Sequence, residues 1–131
     1  MIARRFLKLL LTLRIYTKHF KITYDGDVTS ANKLWASPHW SVRWKIEQSY
    51  NKIFKILLLK EKVKKMTEVS LFTFYNTKHD VDNIFCLNKI FMDTVKGKYL
   101  PEDDTRYYKS THTIFDSNLP KGTIEFHLVG N

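Results

Sequence analysis

The chain has 131 residues, 44% of them hydrophobic, with only four Gly and three Pro. That composition excludes a disordered polymer and sets the scale of one domain around one core. The net charge of +9 makes a polyanion the expected partner, nucleic acid first, and the single cysteine, Cys86, excludes an internal disulfide and points to a reducing, intracellular compartment.

Residues 1–19 begin "MIARRFLKLLLTLRIYTKH", an apolar run broken by Lys8 and Arg14. The run falls short of the ~20 apolar residues that span a bilayer and lacks a small-residue cleavage site. The expectation is a basic arm or helix that packs on the domain or helps bind DNA, with no membrane partner. A helix lying on a membrane surface is the alternative. The domain proper is expected over 20–131. "FKITYDG" (20–26) alternates Phe20, Ile22 and Tyr24 with polar residues, which predicts a strand ending in a turn.

Residues 27–39 read as a loop, and a helix is predicted from Ser41, its candidate cap. Val42, Ile46, Tyr50, Ile53 and Leu57 form its apolar stripe. Arg43 falls outside that stripe, and Trp44 is expected in the core. "EVSLFTFYN" (68–76) predicts a strand buried on both faces. Residues 82–97 predict a helix with Asp82 or Asn83 at its start, Ile84, Leu87, Phe91 and Val95 inside, and Gly97 as C-cap. Residues 106–115 and 123–129 predict two strands joined as a hairpin through "DSNLPKG". The fold class is therefore a small single-domain α+β protein, a mixed sheet with two main helices.

Charge is unevenly placed. Residues 1–79 carry sixteen Lys/Arg against five Asp/Glu, whereas residues 80–131 carry six against eight. The carboxylates gather in "TKHDVDNIFCLNKIFMDTVKGKYLPEDDTRYY". Asp80 and Asp82 are two apart at a strand end. Asp82, Cys86, Lys89 and Asp93 recur at helical spacing on one face. With Asp103 and Asp104 on the next loop, these groups suffice for a hard cation such as Mg²⁺, which takes oxygen ligands beside a phosphate. Taken singly, Asp82 is also a favoured helix cap, Lys89 and Asp93 an exposed ion pair, and Glu102–Asp104 a solvated loop. The histidines show no metal-ligand spacing. No Gly-rich phosphate loop, Gly-x-Ser-x-Gly or Cys-x-x-Cys is present, which excludes the enzymes built on those motifs. Trp35 with Lys33 is a candidate for stacking on unpaired bases.

At these residues the sequence resembles the RusA-like Holliday-junction resolvases. The matching positions are Asp80, Asp82 and Asn83, then Lys89 and Asp93, then Asp103 and Asp104; "SANKLWASPHWSVRW" resembles the family's earlier Ser-x-Asn and His-Trp segment. The resemblance covers residues 20–131. It implies a homodimeric endonuclease that uses Mg²⁺, with Mn²⁺ as a substitute and no small-molecule cofactor, and cuts two strands of a four-way DNA junction symmetrically. It implies that Asp80, Asp82 and Asp104 hold metal and that Lys89 assists at the scissile phosphate. Asp93 and Asp103 would support them, and Asn83 would orient Asp82 or cap the helix. Lys33, Trp35, Arg43 and Lys78 are the DNA-contact candidates. The chain departs from the family pattern in placing Cys86 where the family lysine often stands, one turn before Lys89, and in having "YNTKH" where an arginine run is expected. Those departures motivate an alternative: a catalytically silent branched-DNA-binding module on the same fold.

Overall fold

The structure is a computed structural model that describes residues 1–29 and 39–131. Its elements are α1 (Ile2–Thr12), β1 (Lys18–Tyr24), α2 (Trp40–Lys60), β2 (Val69–Asn76), α3 (Val81–Val95), β3 (Tyr108–Phe115) and β4 (Thr123–Gly130). The strands form one mixed sheet in the order β1-β4-β2-β3. β4 runs antiparallel to both neighbours, and β2 and β3 are parallel. The α+β class expected from the sequence holds.

Every residue of β2 but the last is buried, because helices cover both faces of the sheet. On one face, α2 and α3 pack Phe54, Leu58, Ile84, Leu87 and Phe91 against Ile22, Leu71, Phe126 and Leu128. Phe91 stacks on Phe126 with 4.2 Å between centroids, and Phe54 meets both rings edge-on. Burying each such side chain contributes about 1.5–3 kcal/mol, and the ring pairs add to it. On the other face, α1 lays Leu7 against Phe72, Phe74 and Val129. Helix α1 thus packs on the sheet, while Lys18 and His19, expected in the arm before residue 20, belong to β1.

Four local expectations are corrected. β3 and β4 form no hairpin: β4 crosses over β2 and inserts between β1 and β2. The inner stripe of α2 is Tyr50, Phe54 and Leu58, one residue on from the expected Ile53 and Leu57, and Trp44 is 54% exposed rather than in the core. Finally, α2 begins at Trp40 without a side-chain cap, so Ser41 does not cap it.

The buried Asn88 fastens α3 to the parallel strand pair. Its Oδ1 accepts from the Thr73 hydroxyl at 2.7 Å and its Nδ2 donates to the Thr113 hydroxyl at 2.9 Å. A buried amide bonded at both ends locks the rotation of α3 on the sheet, and with it the direction of the side chains at the start of α3.

Candidate functional site

β2 ends at Asn76, and the chain turns through Thr77, Lys78 and His79 into α3. Asp80 is the N-cap of that helix; its Oδ1 accepts from the Asn83 backbone N–H at 3.3 Å. The cap therefore lies two positions before Asp82 and three before Asn83, the residues expected to open the helix. Asp82 sits in the first turn, where the helix dipole favours a carboxylate. Both acids are exposed. No ion pair is formed by either among the described residues.

The other acids of the segment are placed differently. Lys89 Nζ is 3.6 Å from Asp93, and Lys96 Nζ is 2.9 Å from Glu102 and 3.9 Å from Asp103. Arg106 forks onto Asp104, with Nη2 2.7 Å from Oδ2 and Nε 3.1 Å from Oδ1. Burial, and Asp103 beside it, push the Asp93 carboxyl up against the pull of Lys89. The Arg106 guanidinium and backbone N–H hold Asp104 below the ordinary carboxylate range. Each of these four carboxylates already has a cation partner, with Lys96 shared by Glu102 and Asp103.

The expected convergence of Asp80, Asp82 and Asp104 does not occur within the chain. β3 is parallel to β2, with Tyr108 opposite Val69 and Phe115 opposite Tyr75. The Asp104 carbonyl accepts from the Tyr108 N–H at 2.8 Å, so Asp104 stands where β3 starts. Asp80 follows the point where β2 ends. Six strand residues separate the two ends, about 20 Å at ~3.3 Å per residue. Lys89 lies seven residues beyond Asp82, two turns or about 10 Å along the helix. There it lines a cavity of about 250 Å³ with Asn88, Asp103 and Tyr108. Among the described residues no group of three or more His, Cys, Asp and Glu is disposed to hold a metal ion. Asp80 and Asp82 are left as the two acids at the mouth of α3, one its N-cap and the other in its first turn, carboxylate oxygens of the type Mg²⁺ takes beside a phosphate. Asp104, clasped by Arg106, does not join them.

Beside the two acids, at the same end of the sheet, lies an open cavity of about 600 Å³. Lys78 and His79 from the β2–α3 turn line it, with Phe115 at the end of β3 and Lys121 and Gly122 from the β3–β4 connection. That connection is pinned to the end of β2: Asn76 Nδ2 donates to the Leu119 carbonyl and the Gly122 N–H donates to the Asn76 carbonyl, both at 2.6 Å. Gly122 has φ +84°, a left-handed conformation that glycine adopts without strain. Phe115 is half exposed, its ring 5.7 Å from Tyr75 in an edge contact. Phe115 and Lys121 escape a sequence reading because the cavity gathers three separate turns, and no local motif marks them.

Of the other DNA-contact candidates, Arg43 stands on α2, 3.9 Å from Glu47, between the exposed Trp40 and Trp44. Lys33 and Trp35 lie outside the described residues. Cys86 is buried. No helix among the described residues is long and apolar enough to cross a membrane. No protein-family model matches this chain, and no curated protein matches it.

Proposed function

We propose that this protein is a Mg²⁺-dependent, structure-selective endodeoxyribonuclease of the RusA-like kind, acting inside the cell on four-way DNA junctions as a homodimer. One observation carries this reading: Asp80 and Asp82 are exposed at the mouth of α3 without an ion-pair partner among the described residues, next to a cavity lined by Lys78 and Lys121. In a chain of net charge +9, two exposed carboxylates with no Lys or Arg on them among the described residues support a cation bound beside a phosphate. Lys78 and Lys121 draw the DNA backbone to that end of the sheet by neutralising phosphate charge. Asp80 and Asp82 would hold the metal, which when bound neutralises the scissile phosphate and lowers the pKa of its water. Asn83, whose backbone N–H binds Asp80, keeps the Asp80 carboxylate oriented. Lys89 and Asp93 lie farther along α3 and Asp103 and Asp104 on the loop beyond it, and none of them touches the reacting phosphate from within the same chain.

A second reading, a silent branched-DNA-binding module, draws on the clasp of Arg106 on Asp104 and on the distance of Lys89 from Asp82. The Asp82→Asn variant separates the two. The nuclease reading expects cleavage of a labelled junction to fall by at least about a hundredfold, the scale of a lost electrostatic catalytic group, with junction affinity within a few-fold of the parent. Tight binding by both proteins with no cleavage by either would establish the silent module, and a parent that binds no junction would end both.

A further inference from the structure

We propose that the cavity lined by Lys78, Phe115 and Lys121 is a nucleotide pocket. In it, one deoxynucleotide of the bound DNA strand, unstacked from its neighbours, lays its base on Phe115 and its phosphate between the two lysines. The inference rests on the nuclease reading, whose carboxylates it adjoins, but nothing in that reading requires a base to leave the stack.

Three features support it. The volume of about 600 Å³ is that of a small-molecule site and exceeds what a lone phosphate needs. Its polar groups are those of a phosphate site, two lysines with His79, and Asp27 is the acid that lines it among the described residues. Its aromatic member is placed for stacking. Phe115 ends the edge strand β3, is buttressed by Tyr75, and leaves 51% of its surface to solvent. An exposed phenyl ring has a hydrophobic cost that a stacked base removes, and every base has a face to offer. Nor is the rim adventitious. The residue after Phe115, Asp116, is buried, donates its N–H to the Tyr75 carbonyl at 2.9 Å and binds Arg4 of α1 at 2.8 Å. Helix α1 therefore braces the strand end that carries Phe115 and the turn that carries Lys121.

The pocket faces DNA held open more than DNA that is fully stacked, so it should favour a branch point over a linear duplex. The full-length protein is titrated against a labelled four-way junction and a linear duplex at fixed salt, without divalent metal. Phe115→Ala should weaken junction binding about tenfold, within the range of one lost base–aromatic stack, and leave duplex binding unchanged. Lys121→Gln should weaken both and lower the salt dependence of both by about one phosphate contact. Each variant's melting temperature is checked against the parent, and a variant that melts much lower is replaced by Phe115→Leu, which keeps the bulk and removes the ring. Equal effects of Phe115→Ala on both DNAs, or none on either, would overturn the pocket while leaving the nuclease reading intact. Failure of the parent to bind junction would overturn both. A free mononucleotide such as dAMP is the competing arm: displacement of the junction at micromolar dAMP would assign the pocket to a free nucleotide and overturn its role in holding a strand.

Discussion

Arg4 reaches from α1 to two carboxylates, Asp116 at 2.8 Å and Glu125 at 2.9 Å, and lies 4.1 Å over the Phe74 ring. Burial opposes ionisation of both acids. The Asn118 N–H and Arg4 outweigh it at Asp116, and hydrogen bonds from His127 and Arg4 outweigh it at Glu125, so both lie below their ordinary values. Arg4→Met would strand both charges, which are nearly buried. The expected cost is about 2–3 kcal/mol, below the full figure for a buried pair because Arg4 is itself partly exposed. A lower urea midpoint with unchanged slope checks it. His127 extends the same network. Burial depresses its pKa to about 4 despite Glu125, so it is neutral near pH 7 and its 3.1 Å link to Glu125 is a hydrogen bond rather than an ion pair. With Nε2–H given to Glu125, its Nδ1 accepts from His19 Nε2 at 2.7 Å. As pH falls below about 6.5 the unfolded chain takes up this proton before the folded one does. Stability is therefore full above that pH and declines down to about pH 4, with His127 accounting for about 3 kcal/mol at 1.36 kcal/mol per unit. The ionised forms of Glu125 and Asp116 are lost only at lower pH, through their depressed folded values. Melting temperatures at pH 7.5 and 4.5 should differ less in His127→Gln than in the parent.

At the scale of elements, the end of α2 contains a residue at odds with its backbone. Lys62 has φ +54° just beyond the helix, and it is exposed. A left-handed residue there closes the helix through Glu61 and Val63 N–H groups bonded to the Leu57 and Leu58 carbonyls, and a side chain pays a steric penalty for it. Lys62→Gly should raise stability by about 0.5–1 kcal/mol, read as a higher urea midpoint. The elements differed in how far the sequence disclosed them. β2 and α3 were legible because their patterns admit one reading: an unbroken apolar run, and a stripe of Ile84, Leu87, Phe91 and Val95. For α2 the phase was ambiguous, since Ile53, Phe54, Ile56, Leu57, Leu58 and Leu59 are apolar on every side. The aromatic contacts of Phe54 with Phe91 and Phe126 settle it. β4 was legible as a strand, but the turn cluster "DSNLPKG" before it suggested a hairpin with β3, and its alternating Glu125 and His127 conceal that it lies inside the sheet. Its central position depends on Arg4 and His19 covering those polar groups from other elements.

Across the whole molecule, strand direction decides what the acidic segment can be. The sequence places Asp80, Asp82 and Asp104 within 25 residues, yet the parallel pairing of β2 with β3 sends Asp104 to the far end of α3. Short sequence separation carries no information about which end of a sheet a loop occupies when a helix intervenes. The two acids at the mouth of α3 were legible from Asp80-x-Asp82-Asn83; the cavity beside them was not, because the ends of β1 and β2 and the β3–β4 connection meet there only in three dimensions. Under the proposed function, Asp80 and Asp82, which form no ion pair among the described residues, cut branched DNA together with the basic rim beside them. The most direct test is to incubate the protein with a four-way junction and a linear duplex of the same sequence in Mg²⁺ and map the products on a denaturing gel. Paired nicks at symmetric positions across the junction, with the duplex intact, are the predicted result. An uncut junction in both Mg²⁺ and Mn²⁺, at protein concentrations that saturate binding, would contradict it.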